Sequence, residues 1–285
     1  MEVWKRKDTK EHLHIREKDG VTWLSFLALE ETGLVNHSFS TRLGGVSEGM
    51  FSSMNFSFTR GDDPAHVMEN YRRMAKILET SPEQMVLSHQ THTTNIRKVT
   101  EEDAGKGVVR ERDYKDVDGL ITDVPELTLV TFYADCVPLY LVDPVKKAIG
   151  LSHSGWRGTV HRMGEKTLAA MEEAYGTQAE DVIACIGPSI CQDCFEVGPE
   201  VVEEFQKAFH ESFHNRLFYQ KENGKYQLNL WLANEIIFEE AGVKKENIHT
   251  TDICTHCNPE LLFSHRTTGN DRGNLAAFLK LSKTC

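Results

Sequence analysis

The chain has 285 residues, a formal net charge of −11 at pH 7 and seven cysteines. This length can bury a large core, and the dispersed negative charge argues against a nucleic acid or an anionic membrane as partner. We expect no signal peptide, because the first residues contain no apolar segment. We expect no membrane span, because every long apolar run contains a charge. The odd number of cysteines then favours reduced thiols in the cytoplasm.

Four helices are predicted by their end signals and their apolar periodicity. Asp63 is a typical N-cap because proline follows at the first helical position. Gly176 is a typical glycine after a helix end, and Asn229 is a second N-cap. The predicted helices cover residues 63–78, 160–176, 199–209 and 229–242.

Six strands are predicted by runs that either alternate or are apolar throughout. They cover residues 127–133, 139–142, 148–153, 182–187, 248–253 and 274–279. Many strands with few helices indicate the α+β class, a layered sandwich of mixed β-sheets flanked by helices. Motifs along the whole chain must converge, so we expect a single domain spanning residues 1–285, with residues 1–35 as an N-terminal extension packed on it.

Two imidazoles and one thiol adjoin predicted strands, namely His92, His153 and Cys136. Such a set suits zinc or copper, and three protein ligands leave a fourth position for water or substrate. Each residue also has an ordinary alternative. A buried cysteine is usually an inert apolar residue, and either His89 or His92 is expected to be a surface histidine.

The segment from His153 to Thr159 predicts a strand, a glycine-rich turn and a helix. Such a turn presents backbone N–H groups to an anion, and Arg157 could bind phosphate or carboxylate through two nitrogens. The alternative is a tight turn that needs its glycines for backbone reasons alone. The spacing of Gly150, Ser152 and Ser154 does not match a serine-hydrolase nucleophile motif.

Two Cys-x-x-Cys pairs, Cys191/Cys194 and Cys254/Cys257, raise the possibilities of a zinc ribbon or a redox dithiol. The pairs are about sixty residues apart, wider than the usual ribbon interval. We therefore rank both possibilities below free thiols that lie near each other.

The segment from His210 to His214 matches the H-E-x-x-H pattern of zinc proteases. Both histidines lie beside the apolar face of a helix that is predicted to be peripheral. We interpret the match as the solvated end of a helix and as a product of chance.

Many short motifs, among them Gln90-Thr-His92, Ala134-Asp-Cys136 and His153-Ser-Gly-Trp-Arg-Gly158, occur in one order from Ser40 onward. The set comprises residues 40–47, 54–56, 61–62 with Asn70, 90–92, 118–119, 134–136, 153–158, 187–188, 195–197, 254–255 and 263–266. This order resembles that of the YfiH, or laccase-domain, proteins. That family was named for polyphenol oxidases and later assigned as purine nucleoside phosphorylases with adenosine deaminase side activity.

The resemblance implies a layered α+β sandwich and a metal triad of His92, Cys136 and His153, in which His89 is not a ligand. It implies zinc as the metal, with copper as the alternative. The implied substrates are phosphate and purine nucleosides, namely adenosine, inosine, guanosine and methylthioadenosine. Thr93 departs from the family's usual glycine after the first histidine. We expect a monomer or small homo-oligomer.

Further roles are assigned by chemistry and by membership of these motifs. Arg157 and Arg266 are expected to hold the phosphate, and Asp135 is the carboxylate nearest in sequence to a ligand and hence the candidate proton shuttle for deamination. Arg42 and Asn55 are expected to contact the substrate.

Two alternative enzymes would use the same residues. A laccase-like copper polyphenol oxidase would use the same three ligands, although laccase chemistry normally needs several coppers. A Cys–His hydrolase or deamidase would use Cys136 as the nucleophile and His153 as the base. Metal content distinguishes this hydrolase from the zinc enzyme.

Overall fold

The computed structural model describes residues 4–8 and 12–283. The strands within these ranges are β1 (Leu13–Lys18), β2 (Val21–Phe26), β3 (Val35–Ser40), β4 (Met85–Leu87), β5 (Ile96–Lys98), β6 (Gly119–Thr122), β7 (Thr128–Tyr133), β8 (Val137–Asp143), β9 (Ala148–Ser154), β10 (Ile183–Ile186), β11 (Glu196–Val197), β12 (Phe218–Gln220), β13 (Tyr226–Leu228), β14 (Ile248–Thr250) and β15 (Leu275–Leu281). The α-helices are α1 (Leu27–Glu30), α2 (Pro64–Ile77), α3 (Trp156–Val160), α4 (Met163–Tyr175), α5 (Pro199–Ala208), α6 (His214–Leu217), α7 (Leu230–Glu240) and α8 (His265–Thr268).

The strands form two six-stranded mixed sheets and one three-stranded sheet. The first sheet has the order β1-β2-β3-β15-β7-β4, and the second has the order β14-β10-β8-β9-β6-β5. Each large sheet combines antiparallel pairs with parallel pairing at an edge, where β4 runs parallel to β7 and β5 runs parallel to β6. The small sheet, β11-β13-β12, is antiparallel.

The central strands are buried on both faces, which explains their nearly continuous apolar sequences. In β8, Tyr140 faces a core that it shares with Leu129 of the first sheet, whereas Leu139 faces a second core with Phe238 of α7. Helix α2 covers the outer face of the first sheet through Tyr71. The layers are therefore helix, sheet, sheet and helices, which confirms the predicted α+β class of layered mixed sheets.

The predicted helix ends are largely confirmed. The Asp63 carboxylate accepts a hydrogen bond from the amide of Ala65, and Asn229 caps α7 in the same manner. Gly176 ends α4 in the left-handed conformation. The single helix predicted for residues 160–176 is wrong at its start, since α3 and α4 are separated by Arg162, whose φ is 60°.

Two other details differ from the sequence predictions. Helix α5 ends at Ala208 and does not include Phe209. Strands β1 to β6 and β11 to β13 are not among the predicted strands, and most of them have four residues or fewer. The proposed boundary at residue 35 stays a prediction; β1 and β2 form one edge of the first sheet. Among the described residues, no helix is long and apolar enough to cross a membrane.

Candidate active site

The structure brings together the side chains of His92, Cys136 and His153. Their ligand atoms all lie within 4.8 Å of one another. His153 is in β9, and Cys136 comes directly before β8, which pairs with β9 in an antiparallel register that joins Pro138 to His153. His92 is in the loop after β4, and its ring centroid lies 5.0 Å from that of His153. Strand pairing thus places two members, and a loop supplies the third.

The carboxylate of Asp118, at the start of β6, holds this arrangement in place and is fully buried. Its Oδ1 accepts hydrogen bonds from Nδ1 of His153 at 2.9 Å and from the amide of His92 at 3.0 Å. Its Oδ2 accepts from the amides of Thr91 and Thr93, each at 3.0 Å, and from the Thr93 hydroxyl at 2.9 Å. One side chain therefore orients the His153 ring and fixes the loop that carries His92, whose φ is 64°.

Thr93 stands where the resembling family usually has glycine, and its hydroxyl contributes one of these hydrogen bonds to Asp118. The substitution therefore adds a contact to the loop rather than removing one.

The groups of the cluster shift one another's pKa values toward the charged forms. Burial favours protonated Asp118, but the hydrogen bonds from His153, Thr91 and Thr93 lower the pKa of this carboxyl to about 2. Burial also opposes ionisation of Cys136, yet the imidazoles of His153 and His92 lower the pKa of the thiol to about 6. Burial favours a neutral His153, whereas Cys136 and Asp118 raise its pKa to about 9. Between these two values, a thiolate lies beside an imidazolium when no metal is bound.

The absence of a side chain at Gly155 lets His92 and Cys136 approach each other. A Cβ atom at Gly155 would lie 3.1 Å from Cδ2 of His92 and 3.2 Å from Sγ of Cys136. Both distances are tighter than ordinary van der Waals contact, so a side chain at this position would push the two ligand residues apart.

These residues fit a divalent transition metal. Because Nδ1 of His153 is bound to Asp118, its Nε2 is the nitrogen left to face the other two side chains. A carboxylate that orients a histidine in this way is the usual partner of metal-bound imidazole. Two imidazoles and a thiolate are donors that zinc accepts, and copper accepts them as well.

The cluster opens into a cavity of about 530 Å³, a size typical of small-molecule sites. Its wall combines apolar and polar chemistry. The aromatic lining residues are Phe56, Phe58, Phe132 and Tyr133, and the cationic ones are Arg60, Arg112 and Arg272.

Among the described residues none of these three arginines forms an ion pair with a carboxylate, and Arg60 and Arg272 lie together, since both donate to Oδ1 of Asn274. Arg272 is only 8% exposed, its Nε has no hydrogen-bond partner, and its NH1 donates to the Gly273 carbonyl. The Arg60 guanidinium contacts neutral groups, among them the side chain of Asn274. Burial and the nearby charge of Arg60 lower the pKa of Arg272 to about 10. Such a pair of cations attracts an anion.

Arg157 and Arg266 lie elsewhere. Arg157 is exposed and its guanidinium lies 4.2 Å from the centre of the Trp156 ring. Arg266 is exposed, donates to the Glu196 carbonyl and lies over Phe195. Neither is among the residues that line the cavity. Their roles in holding phosphate stay predictions.

Arg42 and Asn55 make internal contacts. The Arg42 guanidinium donates to the carbonyls of Ser52 and Pro259. Asn55 is fully buried, and its side chain bonds the amide of Asn274 at 2.9 Å. Neither residue is part of the cavity lining, so their predicted contact with substrate remains untested.

Asp135 is not among the residues that line the cavity, and both of its carboxylate oxygens accept hydrogen bonds from other segments. Its Oδ1 accepts from the Thr255 hydroxyl at 2.6 Å, and its Oδ2 accepts from the Arg266 amide at 2.6 Å. Its φ of 86° turns the chain sharply just before Cys136. The geometry suits a residue that positions Cys136, and the proton-shuttle role stays a prediction.

Sequence reasoning did not assign a role to Asp118, Arg60 or Arg272. Asp118 had a signal, since it belongs to a motif of the resembling family. The arginines had none, because their closeness to each other and their lack of a carboxylate partner arise only in the folded chain.

The other histidines singled out from the sequence, His89, His210 and His214, are held by local contacts. His89 lines the cavity but its Nδ1 accepts a hydrogen bond from the Asp116 amide. His210 lies in a turn after α5, where its Nδ1 accepts from the Ser212 amide, and the ring of His214 bonds the Phe209 carbonyl. His210 and His214 thus do not share a helix as a zinc-protease motif requires.

Comparison with known proteins gives a matching family model and similar proteins that are named as enzymes of purine nucleosides. A family model described as multi-copper polyphenol oxidoreductase laccase matches residues 36–282. A purine nucleoside phosphorylase of Bacteroides thetaiotaomicron is 36% identical over 262 residues, covering 91% of this chain and 96% of that protein. Adenosine deaminase RL5, from an unknown prokaryote, is 34% identical over 238 residues, covering 83% and 90%.

The fold has a solved counterpart. The crystal structure of the hypothetical protein YfiH of Bacillus licheniformis aligns with a TM-score of 0.87 at 32% sequence identity. The alignment covers 94% of this chain and 99% of that one.

The first prediction concerns Asp118. Asp118→Asn removes the charge that orients His153, so the affinity of the cluster for zinc should fall by about 10- to 100-fold. Competition with a chromogenic chelator measures this Kd. Asp143→Asn is the matched control, because Asp143 is equally buried and also accepts backbone hydrogen bonds, yet lies outside the cluster. Equal affinities in the two variants would contradict the role of Asp118.

The second prediction concerns the Cys136 thiol in metal-free protein. Since its pKa is lowered to about 6, the thiolate fraction and the rate of alkylation should rise through that pH and level off well before pH 8. Mass spectrometry of the Cys136 peptide after brief iodoacetamide treatment gives the rate. In His153→Ala the midpoint should move upward, because the imidazolium is lost. A wild-type midpoint above pH 8 would disprove the ion pair.

Proposed function

We propose that this chain, which belongs to the multi-copper polyphenol oxidoreductase laccase family, is a cytoplasmic, zinc-dependent purine nucleoside phosphorylase with adenosine deaminase side activity. Its substrates are phosphate with adenosine, inosine, guanosine or methylthioadenosine, and the enzyme is a monomer or a small homo-oligomer. The names of its relatives support both activities.

The observation that carries this proposal is that a Cys/His cluster and a pair of arginines share one cavity. The Cys/His cluster lies at the same cavity as Arg60 and the buried Arg272, whose Nε has no hydrogen-bond partner. Phosphorolysis needs an anion held beside the ribose C1′ and stabilisation of the charge that develops as the purine departs. Guanidinium groups bind phosphate oxygens through paired N–H donors. We therefore assign the phosphate to Arg60 and Arg272, with Arg157 and Arg266 as the alternative holders inferred from sequence.

The cavity wall supplies the nucleoside site. Aromatic rings such as Phe58 and Phe132 offer apolar surface for a purine, and the polar rim offers partners for the ribose hydroxyls. The partial enclosure of the cavity keeps bulk water from the reacting carbon, which favours phosphate over water as the nucleophile.

The roles of the cluster follow from its hydrogen bonds. Asp118 fixes the His153 ring and the His92 loop, and the lowered pKa of Cys136 keeps the thiolate available near neutral pH. When bound, zinc would polarise the substrate and lower the pKa of a bound water to about 7 for deamination. Asp135 holds the turn before Cys136 and is the remaining candidate for moving a proton during deamination.

One alternative has a specific observation behind it. Cys136 lies beside His153, which is hydrogen-bonded to Asp118, an order like that of a Cys–His–Asp hydrolase with the thiolate next to an imidazolium. This enzyme would work without metal. Copper oxidase chemistry is less favoured, because among the described residues only one cluster of possible ligands contains histidine.

The third prediction tests the activity itself. Inosine should release hypoxanthine at a rate that depends on phosphate, with ribose 1-phosphate as the second product. Elemental analysis of the same sample should find zinc, and Cys136→Ala should lose both the cluster zinc and the activity. Release of hypoxanthine at an unchanged rate without phosphate would mean hydrolysis. Full activity after complete removal of metal would favour the Cys–His enzyme.

The fourth prediction decides where phosphate binds. Arg60→Gln should raise the KM for phosphate about 10- to 100-fold, which corresponds to the roughly 1.5–3 kcal/mol of a charge-assisted hydrogen bond. Deamination of adenosine, which uses water, should change little. Arg157→Lys is the comparison, since it keeps a positive charge but loses the paired donors. A selective loss of phosphorolysis in Arg157→Lys, with Arg60→Gln unaffected, would move the phosphate to the glycine-rich turn.

A further inference from the structure

A second group of possible metal ligands lies outside the cavity. The sulfur atoms of Cys191, Cys194, Cys254 and Cys257 all lie within 4.8 Å of one another. The two Cys-x-x-Cys pairs are far apart in sequence, and Cys194 and Cys257 are separated by 63 positions, yet their sulfur atoms are 3.5 Å apart. The sequence spacing favours free thiols that lie near each other, and the fold brings all four into one group.

Backbone contacts build the two turns that present these thiols. In the first turn, the amides of Cys194 and Phe195 both donate to the Cys191 carbonyl. The second turn is aligned with the first by a parallel bridge between Ser189 and Cys254. The cluster therefore rests on fixed backbone rather than on mobile side chains.

The environment suits thiolates. The backbone amide of Cys191 donates to the sulfur of Cys254 at 3.2 Å, a contact that stabilises negative charge on sulfur. Cys191 and Cys254 are buried, and Ile190, Phe195 and Trp231 pack around the group. The ammonium group of Lys7 bonds Asp193 between the first pair of cysteines and offers a positive charge beside the cluster.

The spacing of the thiols matches one metal better than two disulfides. Zinc binds sulfur at about 2.3 Å in a tetrahedron, so bound sulfur atoms lie roughly 3.8 Å apart. Disulfides would join the sulfurs in pairs at about 2.05 Å and would leave no common centre. The four sulfur atoms lie within 4.8 Å of one another, and the Cys194 and Cys257 sulfurs are 3.5 Å apart, a spread compatible with one shared zinc ion.

We propose that Cys191, Cys194, Cys254 and Cys257 bind a structural zinc ion, separate from the His92–Cys136–His153 cluster. Four thiolates leave no open position, so this site holds structure and performs no chemistry. Iron also accepts four thiolates in this geometry, and the metal analysis below distinguishes the two ions.

The proposed zinc would brace the active site through Asp135. The amide of Ile190, next to Cys191, donates to the Asp135 carbonyl at 3.0 Å. The hydroxyl of Thr255, next to Cys254, donates to the Asp135 carboxylate at 2.6 Å. Both cysteine turns therefore hold the residue that directly precedes Cys136. Zinc at the four thiols would join the two turns and keep this backbone in its left-handed conformation.

The experiment measures the zinc content of a variant in which the His92–Cys136–His153 cluster has lost a ligand. The full chain carrying Cys136→Ala, purified under reducing conditions, should contain one zinc and no iron per chain by elemental analysis. Adding Cys257→Ser should abolish it, whereas adding Cys185→Ala should not, because Cys185 is a buried thiol outside both groups. This count is independent of enzymatic activity, so it can succeed or fail whatever the reaction proves to be.

A second measurement covers the case in which Cys257→Ser does not fold. X-ray absorption at the zinc edge of the Cys136→Ala protein should give four sulfur neighbours at about 2.3 Å. Iron in place of zinc, absence of metal, a disulfide between these cysteines in reduced protein, or a zinc shell that contains nitrogen would each overturn the proposal.

The bracing of Asp135 by the four-thiol site is tested in protein that keeps Cys136. In Cys257→Ser the amide hydrogens around Asp135 should exchange faster, and so should that of Ile190, which bonds the Asp135 carbonyl. Cys185→Ala should leave these exchange rates as in wild type. Unchanged exchange in folded, zinc-depleted Cys257→Ser would disprove the bracing role.

Discussion

The candidate site depends on one buried carboxylate. Asp118 accepts five hydrogen bonds, from the His153 ring, from the amides of His92, Thr91 and Thr93, and from the Thr93 hydroxyl. Burying a charge costs free energy unless every lone pair is satisfied and an opposite charge lies near. Here the cost is offset by imidazole and amide donors, and the result is a fixed geometry for two of the three cluster residues. Other hydrogen bonds, such as that from the Gln90 side chain to the Phe132 carbonyl, hold the loop to β7, whereas Asp118 joins it to His153 of β9.

The layered fold explains why the carboxylate is in the right place. Gly119, next to Asp118, pairs with Ser152 across β6 and β9, and β9 pairs in turn with β8. Three adjacent strands therefore end at one edge with Asp118, His153 and the turn to Cys136. Sheet packing buries this edge on one side, and the arginine-lined cavity opens on the other. The arrangement places a cationic, partly enclosed space directly beside a thiolate and two imidazoles.

Much of this could be predicted from sequence where the signal is local. The Asp63 cap and the apolar runs of β7 to β9 depend on neighbouring residues, and they were found. The break at Arg162 was missed because the apolar periodicity continues through it. A shared site for the four thiols near Cys191 was considered but ranked below free thiols, because the two pairs are far apart in sequence and their meeting depends on β10, β14 and the loops beyond them. The cationic pair of Arg60 and Arg272 was invisible for a related reason, since an unpaired charge is a property of the folded chain.

The most direct test of the central claim, that one cavity holds phosphate and nucleoside beside the Cys/His cluster, is a crystal structure of the zinc-loaded protein with phosphate and a non-cleavable inosine analogue. The account predicts phosphate oxygens at hydrogen-bond distance, about 3 Å, from the guanidinium groups of Arg60 and Arg272. It also predicts the purine against the aromatic wall that contains Phe132. Phosphate bound at the exposed Arg157, or a nucleoside bound away from His92, Cys136 and His153, would contradict it.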